Sequence, residues 1–242
     1  MEKINLNQNQ NQNLNQNQNL NQNLNQNQKI QKSIQIIEEA FEKYGEDHLG
    51  ISFNGGKDST VVLELLYEMQ MKKIKTKKNL NINLNKLVVF LSTTKDDFQE
   101  VSEFVEEAKT YYGIENFIHF NSNLKDGLKK LLEIHPQIEA MLTGYRKNDK
   151  EGNQVAYFQK ADVDWPQIVR VSPILDWEYQ DVWSFLIGNN VPYCKLYDLG
   201  YTSIGTKSNT IQNPKLKNLN GLYSPAWILK DSISERAGRL KN

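Results

Sequence analysis

Ser52-Phe53-Asn54-Gly55-Gly56-Lys57-Asp58-Ser59-Thr60 is the stretch whose residue types and spacing best suit chemistry. Two adjacent glycines remove side chains, so backbone N–H groups can approach an anion. An apolar run precedes them and a helical pattern follows. The start of that helix adds its partial positive charge at the same spot. Lys57 adds a formal charge, and Ser59 and Thr60 add hydroxyl donors. The chemistry this suits is phosphate binding. The stretch is neither a Walker loop nor a GxGxxG turn. An ordinary Asn-Gly-Gly turn with Asp58 capping the helix accounts for the same residues without a ligand, and residue types alone leave both possibilities open.

A loop of this kind works only if flanking elements hold it. A helix is expected over residues 29–44, where Ile30, Ile34, Ile37 and Phe41 recur at helical spacing and Gly45 stops them. Strands are expected over 48–53, 87–92, 116–121 and 140–144, and helices over 58–71, 96–112 and 124–134. This alternation predicts the α/β class: an open, mostly parallel sheet with helices on both faces. Such sheets bind ligands at the C-terminal ends of their strands, where the Asn54–Ser59 loop falls. Past Gly144 the chain turns rich in aromatics, Asp and Pro, with one clear helix at 177–187.

The chain has 242 residues, 29 basic and 29 acidic, for a formal net charge of zero. That balance excludes polyanion binding by bulk charge. The lysines of 72–78 follow a helix, where cations suit the dipole, so no nucleic-acid partner is expected. Cys194 is the only cysteine, and disulfides, redox pairs and cysteine-ligated metals all need more than one. His119 and His135 lack metal-ligand spacing. No apolar run approaches the ~18–20 residues that span a bilayer, and the start of the sequence lacks a secretory pattern. A cytoplasmic location without membrane association is expected.

Residues 5–28 hold 12 Asn, 8 Gln and 4 Leu. Such a tract cannot offset its ordering entropy by burial, so residues 1–28 are expected to be a disordered tail outside a single domain at 29–242. Weak self-association through the tail is one role for it. A neutral expansion is preferred, because Asn79, Asn81, Asn83 and Asn85 form a second such stretch.

The 52–60 stretch resembles the SGGxDS "PP-loop" of the ATP-pyrophosphatase superfamily, with Asn54 in place of the first Ser. Those enzymes cut ATP between the α- and β-phosphates. The Asn-Gly-Gly-Lys-Asp form narrows the resemblance to the eukaryotic-type FAD synthases, or FMN adenylyltransferases. Later blocks are more specific: Gly144-Tyr145-Arg146-Lys147-Asn148-Asp149, Asp162-Val163-Asp164-Trp165-Pro166, Arg170-Val171-Ser172-Pro173-Ile174-Leu175, Leu196-Tyr197-Asp198-Leu199-Gly200-Tyr201-Thr202-Ser203-Ile204-Gly205, Asn213-Pro214 and Glu235-Arg236-Ala237-Gly238-Arg239. They run in the family's order over about residues 48–240. The chain departs from the family at Ser92, where an acidic residue is common, and in a short 209–223 stretch.

The resemblance implies transfer of the adenylyl group of ATP to FMN, giving FAD and pyrophosphate, a nucleotidyltransferase reaction. It implies a nucleotide-binding core at 29–145 and a flavin-binding, closing segment at 146–242. Carried onto this sequence, the catalytic set is Asn54, Asp58, Arg146, Asp149, Arg236 and Arg239. ATP falls to Ser52, Phe53, Asn54, Gly55, Gly56, Lys57, Asp58, Ser59 and Gly144. FMN falls to Asp162, Trp165, Arg170, Arg236 and Arg239, with Trp165 as stacking platform and Asp162 as polar partner; Arg146, Arg236 and Arg239 are the cations expected to fork onto phosphate. By residue type alone Trp165 would be core, as Trp177, Trp183 and Trp227 are taken to be. Mg²⁺ is expected to accompany ATP, and Asp58 either orients it or orders the loop. A PAPS reductase needs a nucleophilic cysteine near its C-terminus and a tRNA thiolase usually needs paired cysteines; Cys194 fits neither. A catalytically inactive nucleotide-binding scaffold is the other alternative, and the intact loop and arginine motifs count against it.

Overall fold

A computed structural model describes residues 24–72, 74, 80, 82–149 and 155–240. Helix α1 spans residues 24–44. The other helices are α2 (Lys57–Gln70), α3 (Gln99–Tyr112), α4 (Leu124–Ile134) and α5 (Tyr179–Gly188), and the strands are β1 (Leu49–Ser52), β2 (Val88–Thr93), β3 (Phe117–Asn121), β4 (Ala140–Leu142), β5 (Phe158–Lys160) and β6 (Val169–Val171). They build one six-stranded sheet in the order β3-β2-β1-β4-β6-β5. All neighbours pair in parallel except β5, which runs antiparallel to β6.

Strand order fixes where the helices go. The chain steps from β1 to β2 to β3 in one direction, so right-handed crossovers place α2 and α3 on the same face. It then jumps back from β3 to β4 across β1, which sends α4 to the opposite face. The first face carries the main core, where Val61, Val62, Leu65 and Leu66 of α2 are at most 1 % exposed. Burying each such side chain contributes about 1.5–3 kcal/mol. The second face is thinner: Val88, Phe90 and Met141 of the sheet meet Leu128 and Leu131 of α4. α4 packs on β2 and β3, and beyond it this face opens into a cleft.

The expected elements through β4 are present with ends shifted by a few residues, and two further strands appear. β5 and β6 are three residues each, too short to show a period. Trp177 and Trp183 lie in the core, with Trp227 packed against it.

α1 starts inside the Asn/Gln tract, five residues before the expected boundary. Gln26 Nε2 donates to the Asp181 carbonyl at 3.1 Å, and Lys29 pairs with the Asp181 carboxylate. Residues 24–28 therefore belong to the domain and not to the tail. Residues 1–23, Asn79 and Asn81, and most of the 72–78 lysine run lie outside the described residues. Deleting 1–23 is expected to leave melting temperature and specific activity unchanged, while deleting 1–28 costs under about 1 kcal/mol, a few degrees by calorimetry. A loss of several degrees for the shorter deletion would show that those residues also pack on the domain.

Candidate active site

The loop between β1 and α2 is held from several sides. Phe53 is fully buried, its ring 6.3 Å from Phe104, so its side chain anchors the loop in the core. Asn54 folds back: its Oδ1 accepts from Gly56 N at 3.0 Å and lies 2.8 Å from Ser59 Oγ. Gly55 has φ +70°, the left-handed region that favours glycine. Thr60 Oγ1 donates to the Gly56 carbonyl at 3.0 Å. The Ser59 and Thr60 hydroxyls, expected as ligand donors, thus serve the loop itself. The helix begins with Gly56 as N-cap and no side-chain cap, so Asp58 is not the cap.

Lys57 and Arg146, expected to meet phosphate, meet carboxylates instead. Lys57 is 3 % exposed and Arg146 fully buried. Lys57 Nζ lies 3.0 Å from Asp58 Oδ2 and 2.6 Å from Glu235 Oε1. Arg146 Nε lies 2.9 Å from Asp58 Oδ1, and its Nη2 donates to Glu235 Oε1 and Oε2 at 2.6 and 2.7 Å. Burial alone would push the Lys57 ammonium down, but Asp58 and Glu235 outweigh it and hold its pKa above the ordinary lysine value. Burial would likewise raise the Glu235 carboxyl, yet Lys57 and Arg146 hold it below its usual range. Two cations beside two anions leave the cluster formally neutral. The reason for the difference is elementary: such groups are tolerated away from water only when paired.

What the loop offers an anion is therefore backbone. The Asp58 and Ser59 N–H groups at the start of α2 make no hydrogen bond among the described residues. The Asn54 amide N–H₂ is likewise unused. Gly144, just past β4, packs directly on this turn: a Cβ there would sit 2.4 Å from Ser59 N.

The remaining predicted residues, Asp149 apart, separate into two groups. Ser52, Asp162, Trp165 and Arg170 line one cleft of about 820 Å³ on the open second face, together with Phe90, Leu128, Met141, Thr143 and Tyr145. That volume suits a fused-ring ligand. It lies beside the β1–β4 junction, where the strand order reverses. The Arg170 guanidinium lies 4.2 Å from the Tyr145 ring centroid, and its buried Nε has no partner among the described residues. Lys125 of α4 reaches across to Asp164 at 2.8 Å and lies 5.9 Å from the Trp165 ring. Asp149 ends the short turn Lys147–Asp149.

Arg236 and Arg239 form the second group, on the C-terminal segment. Neither pairs with a carboxylate among the described residues. Burial, then the neighbouring charge of Arg236, pulls the Arg239 pKa below its ordinary value. The Arg239 guanidinium occupies the space a Cβ on Gly205 would need, 2.3 Å from Cζ. Sequence reasoning missed what holds this segment. Thr202 Oγ1 donates to the Glu235 carbonyl at 2.6 Å, and Asn213 Nδ2 donates to the Ser234 carbonyl and to Thr202 Oγ1, each at 2.8 Å. The Leu196–Gly205 and Asn213-Pro214 motifs were visible as motifs, without this role. Tyr197 was missed as well: its hydroxyl accepts from Lys57 N at 2.9 Å.

A glycine-rich phosphate loop, a parallel sheet and a switch-point cleft define a nucleotide-binding α/β protein of the PP-loop kind. Residues 48–212 match the family model of the phosphoadenosine phosphosulfate reductase domain. A probable FAD synthase of Schizosaccharomyces pombe is 41 % identical over 211 residues, 87 % of this chain and 78 % of that one. A probable FAD synthase of Caenorhabditis elegans is 38 % identical over 87 % of this chain, which spans 40 % of the nematode protein's length. The crystal structure of Candida glabrata FMN adenylyltransferase with FMN and the ATP analogue AMPCPP superposes with a TM-score of 0.79 at 26 % identity, covering 89 % of this chain and 90 % of that one. The chain belongs to the FAD synthases within the phosphoadenosine phosphosulfate reductase domain family, and is an enzyme of the nucleotidyltransferase type.

Proposed function

We propose that the chain joins ATP and FMN through a phosphate oxygen of FMN. That oxygen attacks the α-phosphorus of ATP, the bond from this phosphorus to the α–β bridging oxygen breaks, and pyrophosphate leaves with that bond's electrons. Positioning two anions and neutralising developing charge is the whole of the protein's task. The observation that carries this reading is the cleft itself, with the buried Arg170 Nε lacking a hydrogen-bond partner among the described residues, Trp165 on its wall and the phosphate loop at its edge. The α2 N–H groups and the Asn54 amide bind ATP phosphates. Trp165 and Asp162 take the flavin ring, Arg170 a ring carbonyl, and Arg236 with Arg239 the phosphates. Lys57, Asp58 and Arg146 shape the loop.

Mg²⁺ arriving with ATP would be held by phosphate oxygens. Asp58 does not fit as its ligand, because Arg146 and Lys57 take its carboxylate, and the described residues hold no group of three or more metal-ligating side chains. No helix among them is long and apolar enough to cross a membrane, and a chain with a single buried thiol fits a reducing cytoplasm.

Incubating the purified chain with ATP, Mg²⁺ and FMN should yield FAD and pyrophosphate in equal amounts, by chromatography with fluorescence detection. No FAD from a folded preparation would overturn the proposal. A sulfonucleotide reductase activity is disfavoured by Cys194: it is fully buried, and burial pushes its thiol up to about 11, the opposite of an activated nucleophile. The arginine pair also predicts a preference. FMN should bind at least about tenfold tighter than riboflavin, a difference of 1.4 kcal/mol, because riboflavin offers those guanidiniums no phosphate. Equal affinities would remove Arg236 and Arg239 from the site.

A further inference from the structure

We propose that Glu235 is a positioning residue that locks the arginine-bearing C-terminal segment to the phosphate loop, so that one buried carboxylate sets the spacing of the two phosphate-binding halves. The proposal rests on the assignment of Arg236 and Arg239 to the FMN phosphate.

The carboxylate is held from two independent elements. Lys57, the first residue of α2, donates to Oε1 at 2.6 Å. Arg146, past the end of β4, donates to both oxygens at 2.6 and 2.7 Å. Asp58 closes the ring by touching both cations. The main chain of the same residue is fixed on the other side: its carbonyl accepts from Thr202 Oγ1 at 2.6 Å, and the preceding carbonyl accepts from Asn213 Nδ2 at 2.8 Å. The side chain thus grips the ATP loop while the backbone sits on the C-terminal scaffold, and Arg236 is the next residue along. Glu235 and Lys57 are 178 residues apart in sequence.

Taking Lys57, Arg146 and Glu235 out of water, with Asp58 only partly exposed beside them, is costly, and well-packed apolar side chains often do as well or better for stability. What the ring supplies is geometry. Several charge-assisted hydrogen bonds share one carboxylate, so the loop and the segment cannot shift independently without breaking one. The cluster presents no free cation to phosphate, which leaves anion binding to the loop backbone and the two arginines, the parts whose spacing the carboxylate sets.

The test is flavin fluorescence quenching on the full chain, with FMN and with riboflavin, in wild type, Glu235→Gln and Glu235→Asp. Gln keeps the shape and loses the charge; Asp keeps the charge and falls one methylene short of holding both cations. If Glu235 positions the arginines, riboflavin affinity stays within about twofold while FMN affinity falls about tenfold in Gln and by less in Asp, so the preference for FMN collapses. kcat for FAD formation at saturating substrate falls with it. An unchanged FMN-to-riboflavin ratio in either folded variant overturns the proposal. So does an equal loss for both flavins, or failure of both variants to fold, since each assigns Glu235 to stability alone. Absence of any FMN preference in the wild type overturns the arginine assignment and the coupling with it, a result distinct from a wild-type preference that survives both substitutions.

Discussion

Asp58→Ala is expected to lower kcat/KM for FAD formation by more than about 10²-fold, or about 2.7 kcal/mol of transition-state stabilisation. The carboxylate is one of two anions facing Lys57 and Arg146. Without it those cations share Glu235 alone, and the first turn of α2 loses the contact that draws it toward Arg146. Backbone donors at that turn then no longer converge on the phosphates. Stability falls too, by about 3–5 kcal/mol, as for one member removed from a buried ion pair. That is several times the ~1 kcal/mol of a lost cap, and Gly56 already holds the cap position. Kinetics must therefore be taken well below the lowered melting point, with circular dichroism to establish folding. Asp58→Asn, which keeps the shape, should recover part of the stability and little of the activity. A folded Asp58→Ala protein with near-normal kcat/KM would leave the glycines and the helix start as the only determinants of phosphate binding.

The way Asp58 works marks where sequence reasoning stops. Adjacent glycines, an apolar run before them and a 3.6-residue period after them are local signals, and they placed β1, the loop and α2 within a few residues. The alternation through Ala140 gave the parallel sheet for the same reason. Arg170 is assigned to flavin by resemblance, and it lines the cleft from β6; yet β6 itself, Val169-Arg170-Val171, is too short and too polar at its centre to announce a strand. Lys57 and Arg146 were given to phosphate because cations beside a glycine-rich loop suit an anion. Nothing local says that an acid 178 residues away satisfies one of them. The Glu-Arg-Ala-Gly-Arg motif drew attention to its arginines, while its glutamate makes the contact that ties the chain's end to its beginning. Charge pairing at long range is a product of the fold, so residue type identifies the participants without their partners.

Gly144→Ala is expected to abolish the activity, with kcat/KM down at least about 10³-fold, or about 4 kcal/mol. One methyl group is enough because of what it meets. The added Cβ would lie 2.4 Å from Ser59 N, 2.5 Å from Asp58 C and 2.8 Å from Asp58 O. All three are main-chain atoms of the first turn of α2, so no side chain can rotate away and relieve the overlap. Either the turn after β4 or the start of α2 must move. Movement of the first shifts Arg146 within its ring of carboxylates, and movement of the second redirects the Asp58 and Ser59 N–H groups. Both displacements fall in the phosphate site while the sheet and main core are untouched. Overpacking of this kind costs typically about 1–3 kcal/mol in stability, which a domain of this size can absorb. The chain should therefore stay folded by thermal melt, with AMPCPP binding lost in a calorimetric titration. Gly55 is constrained by its backbone angle, φ +70°, and substitution there strains the loop from within. Gly144 is constrained by proximity, and its substitution presses on the loop from the turn after β4. A folded Gly144→Ala enzyme with wild-type turnover would mean that the turn after β4 can yield without moving α2, and that the contact between them is packing alone.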